Sequence, residues 1–168
     1  MLESSMVYGQ AYDDVTIRFK TQRVAKMDIE PNNNLVNMIL TSPVEAGAPV
    51  QGITNTSKWL NYSCCLKLTD SDRYITVAIA SGSVPAGLRL SVTASAYTGL
   101  GDGTTGTSSG TIILSGTAQT IISGIRGAYT GNGVNNGHQL NYELEIINYN
   151  QLDFNNSTTI NLEFTIVD

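Results

Sequence analysis

The chain has 168 residues, enough for one domain with a real core, and a formal net charge of −5 with only nine Lys and Arg. Those nine are scattered, whereas tracking a nucleic-acid backbone needs a basic face, so no nucleic-acid partner is expected. No apolar run approaches the roughly 20 residues that span a bilayer as a helix, and the polar balance is carried by Thr, Ser, Asn and Gly rather than by charge, a mix that suits strands and tight turns.

Residues 1–20 read as an N-terminal arm. Its opening ten residues lack the basic and apolar regions of a complete signal peptide. Met6 and Tyr8 are β-prone, and Val15, Ile17 and Phe19 fall on one face of a predicted strand. Further strands follow the same period of two. Ala25, Met27 and Ile29 share a face. Val36, Met38 and Leu40 share the next, with Leu35 and Ile39 opposite. Leu60, Tyr62, Cys64 and Leu66 make one row, and Ile75, Val77 and Ile79 another. Leu88, Leu90, Val92, Ala94 and Ala96 alternate with Arg89, Ser91, Thr93 and Ser95. Short strands are predicted at 111–114 and 120–122. Leu140, Tyr142, Leu144 and Ile146 form a face, as do Ile160, Leu162, Phe164 and Ile166.

Between these runs stand turn signals, such as Ser42-Pro43, Ala48-Pro49 and Ser83-Val-Pro-Ala-Gly87. The Gly-rich stretches 99–110 and 131–137 read as loops. No segment shows a 3.6-residue period. Nine or ten short strands with regular turns predict an all-β fold, an antiparallel two-sheet sandwich of immunoglobulin-like type, with a jelly roll as the alternative. The sandwich is expected over 21–168. Its edges would expose unpaired backbone groups, which strand addition by another copy can satisfy.

Catalytic chemistry is not signalled. The one histidine, His138, follows Asn135-Asn-Gly and reads as a turn residue half in solvent, with no nucleophile or orienting acid nearby in sequence. Glu143, Glu145 and Glu163 lie on outward strand faces. Asp70, Asp72 and Asp102 sit in turns, with too few carboxylates together for the six to eight oxygens that calcium takes. Cys64 and Cys65 are adjacent and match no zinc or redox spacing, one expected inward and one outward. The chain is expected to be neither an enzyme nor a holder of metal or cofactor. Tyr97 and Tyr129 flank loops and are the candidates for a ligand-binding, glycan-facing surface.

Several segments resemble bacterial pilin-type domains, including chaperone–usher pilins, spore-coat-U-like domains and small secreted β-sandwich proteins of the Bacteroidetes. They are Val24-Ala-Lys-Met-Asp-Ile-Glu-Pro31, the run 50–62 around Lys58-Trp-Leu60, Ser83-Val-Pro-Ala-Gly-Leu88, and the passage from Tyr129 into Gln139-Leu-Asn-Tyr-Glu-Leu144. The chain departs from the chaperone–usher pattern in having Val167 and Asn155 where those pilins have Tyr and Gly, and in lacking their disulfide. The resemblance implies a secreted or cell-surface subunit that assembles with copies of itself into a filament. The arm would be donated to a neighbour, with Met6, Tyr8, Val15, Ile17 and Phe19 as docking side chains. A monomeric adhesin or carbohydrate-binding module is the alternative.

Overall fold

The computed structural model describes residues 13–32, 35–153 and 157–168. Among them are nine strands: β1 (Val24–Glu30), β2 (Ile53–Cys65), β3 (Arg73–Ser81), β4 (Leu88–Ala94), β5 (Asp102–Ser108), β6 (Thr111–Ile113), β7 (Gln119–Tyr129), β8 (His138–Ile146) and β9 (Asn161–Val167). One 3-10 turn, Tyr149–Gln151, is the only helical element described. Every pairing is antiparallel. The strands form one continuous path, β6-β4-β8-β2-β7-β3-β9, with β1 added to β2 and β5 added to β7.

The joint in this path is the long strand β2. Its first half pairs with β8, from Ile53 opposite Leu144 to Leu60 opposite His138, while Ser63 and Cys64 pair with Tyr129 and Ala128 of β7. β1 runs along the other side of residues 59–65. Between Asn55 and Lys58, β2 advances three residues while β8 advances two, from Tyr142 to Leu140. This extra residue is a β-bulge. The Asn55 side chain closes it, accepting from the Ser57 amide at 3.0 Å and its hydroxyl at 2.7 Å. The bulge also puts Lys58 on the buried side, where its ammonium donates to the Pro31 carbonyl at 2.7 Å.

The core explains why these sequences form strands. Leu60, Tyr62 and Cys64 of β2, Ile75 and Val77 of β3, Val92 and Ala94 of β4, Ile112 of β6, Ile121, Ile122 and Ile125 of β7, and Leu140 and Tyr142 of β8 form one buried cluster. Both arms of the path thus contribute to a single core, an arrangement consistent with a two-layered sandwich. β9 shows the predicted alternation most plainly: Leu162, Phe164 and Ile166 lean on the core while Asn161, Glu163 and Thr165 are exposed.

Three expectations are corrected. Residues 15–19 form no strand, and Val15, Ile17 and Phe19 are exposed at 84%, 70% and 87%. Alternation supplies an apolar face, but a strand also needs a hydrogen-bonding neighbour, and no described residue provides one here. Residues 35–40 set Val36 and Met38 against the core, yet belong to no strand; an isolated bridge joins Thr41 to Gln51. Conversely, residues 102–108, read as loop because they are Gly-rich, are strand β5. At Gly106 the backbone lies so close to β7 that an added Cβ would stand 2.6 Å from the Ser123 carbonyl, and φ is +78°. Glycine here permits close strand approach rather than marking a loop.

Candidate functional site

The arm and the edges come first. Residues 13–22 are exposed throughout and belong to no helix or strand, with no strand pairing among the described residues. Met6 and Tyr8 lie outside the described residues. Just beyond the arm, Arg23 is held by Asp70 at 3.4 Å and Asp168 at 3.2 Å. The buried Arg73 reaches the same Asp168, and also donates to the Val24 carbonyl, so the start of β1 is tied to the end of β9. The arm therefore departs from the body where β1 and β9 meet.

Four strands pair on one side only among the described residues: β1, β5, β6 and β9. They differ in what they offer a docking strand. β6 has three residues, and β5 carries Gly, Thr and Ser with no large apolar side chain. β1 leans Met27 and Ile29 on the core. β9 presents a regular row of three large apolar side chains, packed on the core but not fully buried, with Glu163 on the outward row. An unfinished apolar row on an unpaired strand is the physical requirement for strand addition.

The tyrosines separate. The Tyr97 hydroxyl donates to the Thr130 carbonyl at 3.3 Å and accepts from the Gly101 amide at 2.7 Å, so it braces the loop beyond β4. Tyr129 is 52% exposed and borders an open depression of about 430 Å³, lined also by Lys26, Asp28, Asn61, Ser63 and Asn132. The two are not brought together into one surface: Tyr97 faces inward and Tyr129 outward. Asn61, noted only as a sequon inside a strand, organises the 131–137 loop, accepting from the Gly133 amide at 2.7 Å and donating to the Asn136 carbonyl at 2.5 Å.

His138 is a correction. It is not half in solvent but fully buried, as the first residue of β8. Its Nδ1 lies 2.8 Å from the Ser95 carbonyl and its Nε2 lies 2.9 Å from the Tyr62 hydroxyl. The ring stacks on Tyr62 with centroids 5.8 Å apart. Loop chemistry before it, ending in Gly137, suggested exposure; the even-numbered row it begins, with Leu140 and Tyr142, was the signal of burial. Arg73 was also missed, and it shared that kind of signal, standing in register with Ile75 and Val77.

The acidic turns are locally satisfied. Asp72 pairs with Arg126, Asp70 accepts from the Lys67 amide at 3.2 Å, and Asp102 accepts from the Gly103 amide at 2.7 Å. Among the described residues no group of three or more His, Cys, Asp or Glu is placed to hold a metal ion. Cys64 is buried and Cys65 half-buried, both as free thiols. No described helix is long and apolar enough to cross a membrane.

Comparison with protein-family models, curated proteins and solved structures finds no match. The functional reading rests on the residues themselves.

Proposed function

We propose that the chain is a structural subunit of an extracellular or cell-surface assembly, joined to copies of itself by strand addition through the N-terminal arm. The observation that carries this reading is the pairing of two incomplete features in one molecule. One is an arm whose Val15, Ile17 and Phe19 are largely exposed; the other is an edge strand, β9, with one strand partner among the described residues, whose Leu162, Phe164 and Ile166 are packed on the core but not fully buried. Burying each large arm side chain in a neighbour contributes roughly 1.5–3 kcal/mol.

Charge favours the same match. When Val15, Ile17 and Phe19 of one copy extend the apolar row of another, Arg18 and Lys20 fall on the outward row that carries Glu163. Opposite charges across neighbouring strands contribute about 0.2–1 kcal/mol. The backbone groups of β9 that meet no strand among the described residues gain partners in the same step.

Sedimentation velocity across a concentration series tests this. The full chain is expected to form oligomers, and a variant lacking residues 1–22 to remain monomeric yet folded. A synthetic 13–23 peptide is expected to bind the shortened protein, and a Phe19→Asp peptide to bind at least tenfold more weakly. A full chain that stays monomeric at all concentrations refutes the reading.

A second reading rests on Tyr129. An exposed ring beside the amide of Asn132 and the carboxylate of Asp28 is the kind of surface on which a sugar stacks, so a glycan-binding adhesin is the alternative. It predicts saturable glycan binding by the monomer, abolished by Tyr129→Ala.

A further inference from the structure

His138 is the only histidine in the chain, and its surroundings fix where its protons sit. The Ser95 carbonyl can only accept, so Nδ1, 2.8 Å from it, carries a proton. In the neutral ring, Nε2 is then a bare acceptor facing the Tyr62 hydroxyl at 2.9 Å. That hydroxyl also faces the Thr105 carbonyl of β5. It has one proton and two acceptors, so the neutral site always leaves one acceptor without this donor.

Protonating Nε2 reverses the bookkeeping. The imidazolium donates to Tyr62, Tyr62 donates to Thr105, and each group has its match. The ring then carries a positive charge in a fully buried place. The titratable groups facing it are Tyr62 on β2 and Tyr97 beyond β4, while β5 presents only the Thr105 carbonyl, 3.4 Å from Nε2. Farther along the same face stand Cys64 and Arg73, the guanidinium 3.4 Å from Sγ and itself paired with Asp168, so that pair offers the ring no free counter-ion. Among the described residues no carboxylate hydrogen-bonds the ring. A buried charge without an anion costs more than one hydrogen bond returns.

We propose that His138, Tyr62 and the carbonyls of Ser95 and Thr105 form an acid-sensitive clasp that fastens β5 and the 95–101 segment to the β2–β8 pair and loosens when the imidazole takes its second proton. The clasp joins four separate parts of the chain through one ring, and the weaker side of the joint is β5, a strand paired only with β7 among the described residues. Loosening lets water reach the imidazolium without unfolding the β3–β9 side. Burial pushes the His138 pKa below its ordinary value, against the opposing pull of the Ser95 and Thr105 carbonyls, in the direction the geometry requires.

Hydrogen exchange of the wild-type protein, corrected for intrinsic pH effects, tests the clasp. Amides in 95–108 are expected to open more often as pH falls from 7.5 to 5.5, approaching about tenfold per pH unit for a one-proton step. Those of β3 and β9 are expected to change far less. In His138→Phe the response of 95–108 is expected to vanish. If that variant does not fold, nitrogen and carbon NMR of the single imidazole decides on the wild type alone. The expected result is the Nδ1–H tautomer at neutral pH and a titration midpoint below about 6.5. An Nε2–H tautomer, a midpoint at or above that value, no acid response in 95–108, or the same response in His138→Phe overturns the proposal.

Discussion

Leu60 and Arg73 show how single positions hold this protein. Leu60 is fully buried at the centre of β2, where that strand passes from β8 toward β7. Leu60→Ala is expected to lower unfolding stability by about 2–5 kcal/mol, through lost transfer energy and the cavity left behind. A urea titration should show a lower midpoint with little change in slope. Arg73 is equally deep, yet charged, and it stays charged because Asp168 and the Val24 carbonyl receive its donors. Both residues were readable as members of an inward row. What Arg73 pairs with was not, because Asp168 lies 95 positions away. For His138 even the environment was misread: the Asn-Gly turn before it is a local signal of exposure, while the stacked Tyr62 ring comes from 76 positions upstream.

At the level of elements, the strands that alternate large apolar and polar side chains, such as β8 and β9, matched their predicted places, because alternation reports which side meets the core. Elements failed where a partner backbone decided the outcome. Residues 15–19 have the pattern of a strand and no pairing neighbour among the described residues; β5 has the composition of a loop and a neighbour at close range. Gly106→Val tests this account. It is expected to cost about 1–3 kcal/mol for a side chain at positive φ, with the Ser123 carbonyl 2.6 Å from the new Cβ adding to that. Amide exchange should rise in β5 and in residues 122–129 of β7 while β9 remains protected.

For the whole molecule, stability is expected to fall at both ends of the pH range. The unfolded-state histidine titrates near 6.5, and the folded His138 titrates lower. Between the two values the unfolded chain binds more protons, so the stability from burying neutral His138 is complete above about pH 6.5 and is lost as pH falls below it. At the alkaline end, burial raises the pKa values of Tyr62 and Tyr142 above 10.0. The unfolded chain then ionises first, and stability declines as pH rises past about 10. Thermal melts from pH 5 to 11 should therefore trace a plateau with two falling limbs, the acid one missing in His138→Phe.

The period-two pattern by itself determined that this chain is all-β and antiparallel, and which side chains face inward along most strands, since both follow from the geometry of neighbouring residues. Only the tertiary structure decided which strands are neighbours, that β2 serves two partners on one side, that a Gly-rich run is a strand, and that the apolar arm has no described cover. Those outcomes depend on hydrogen bonds and packing between residues far apart in the chain, for which a local sequence window carries no record.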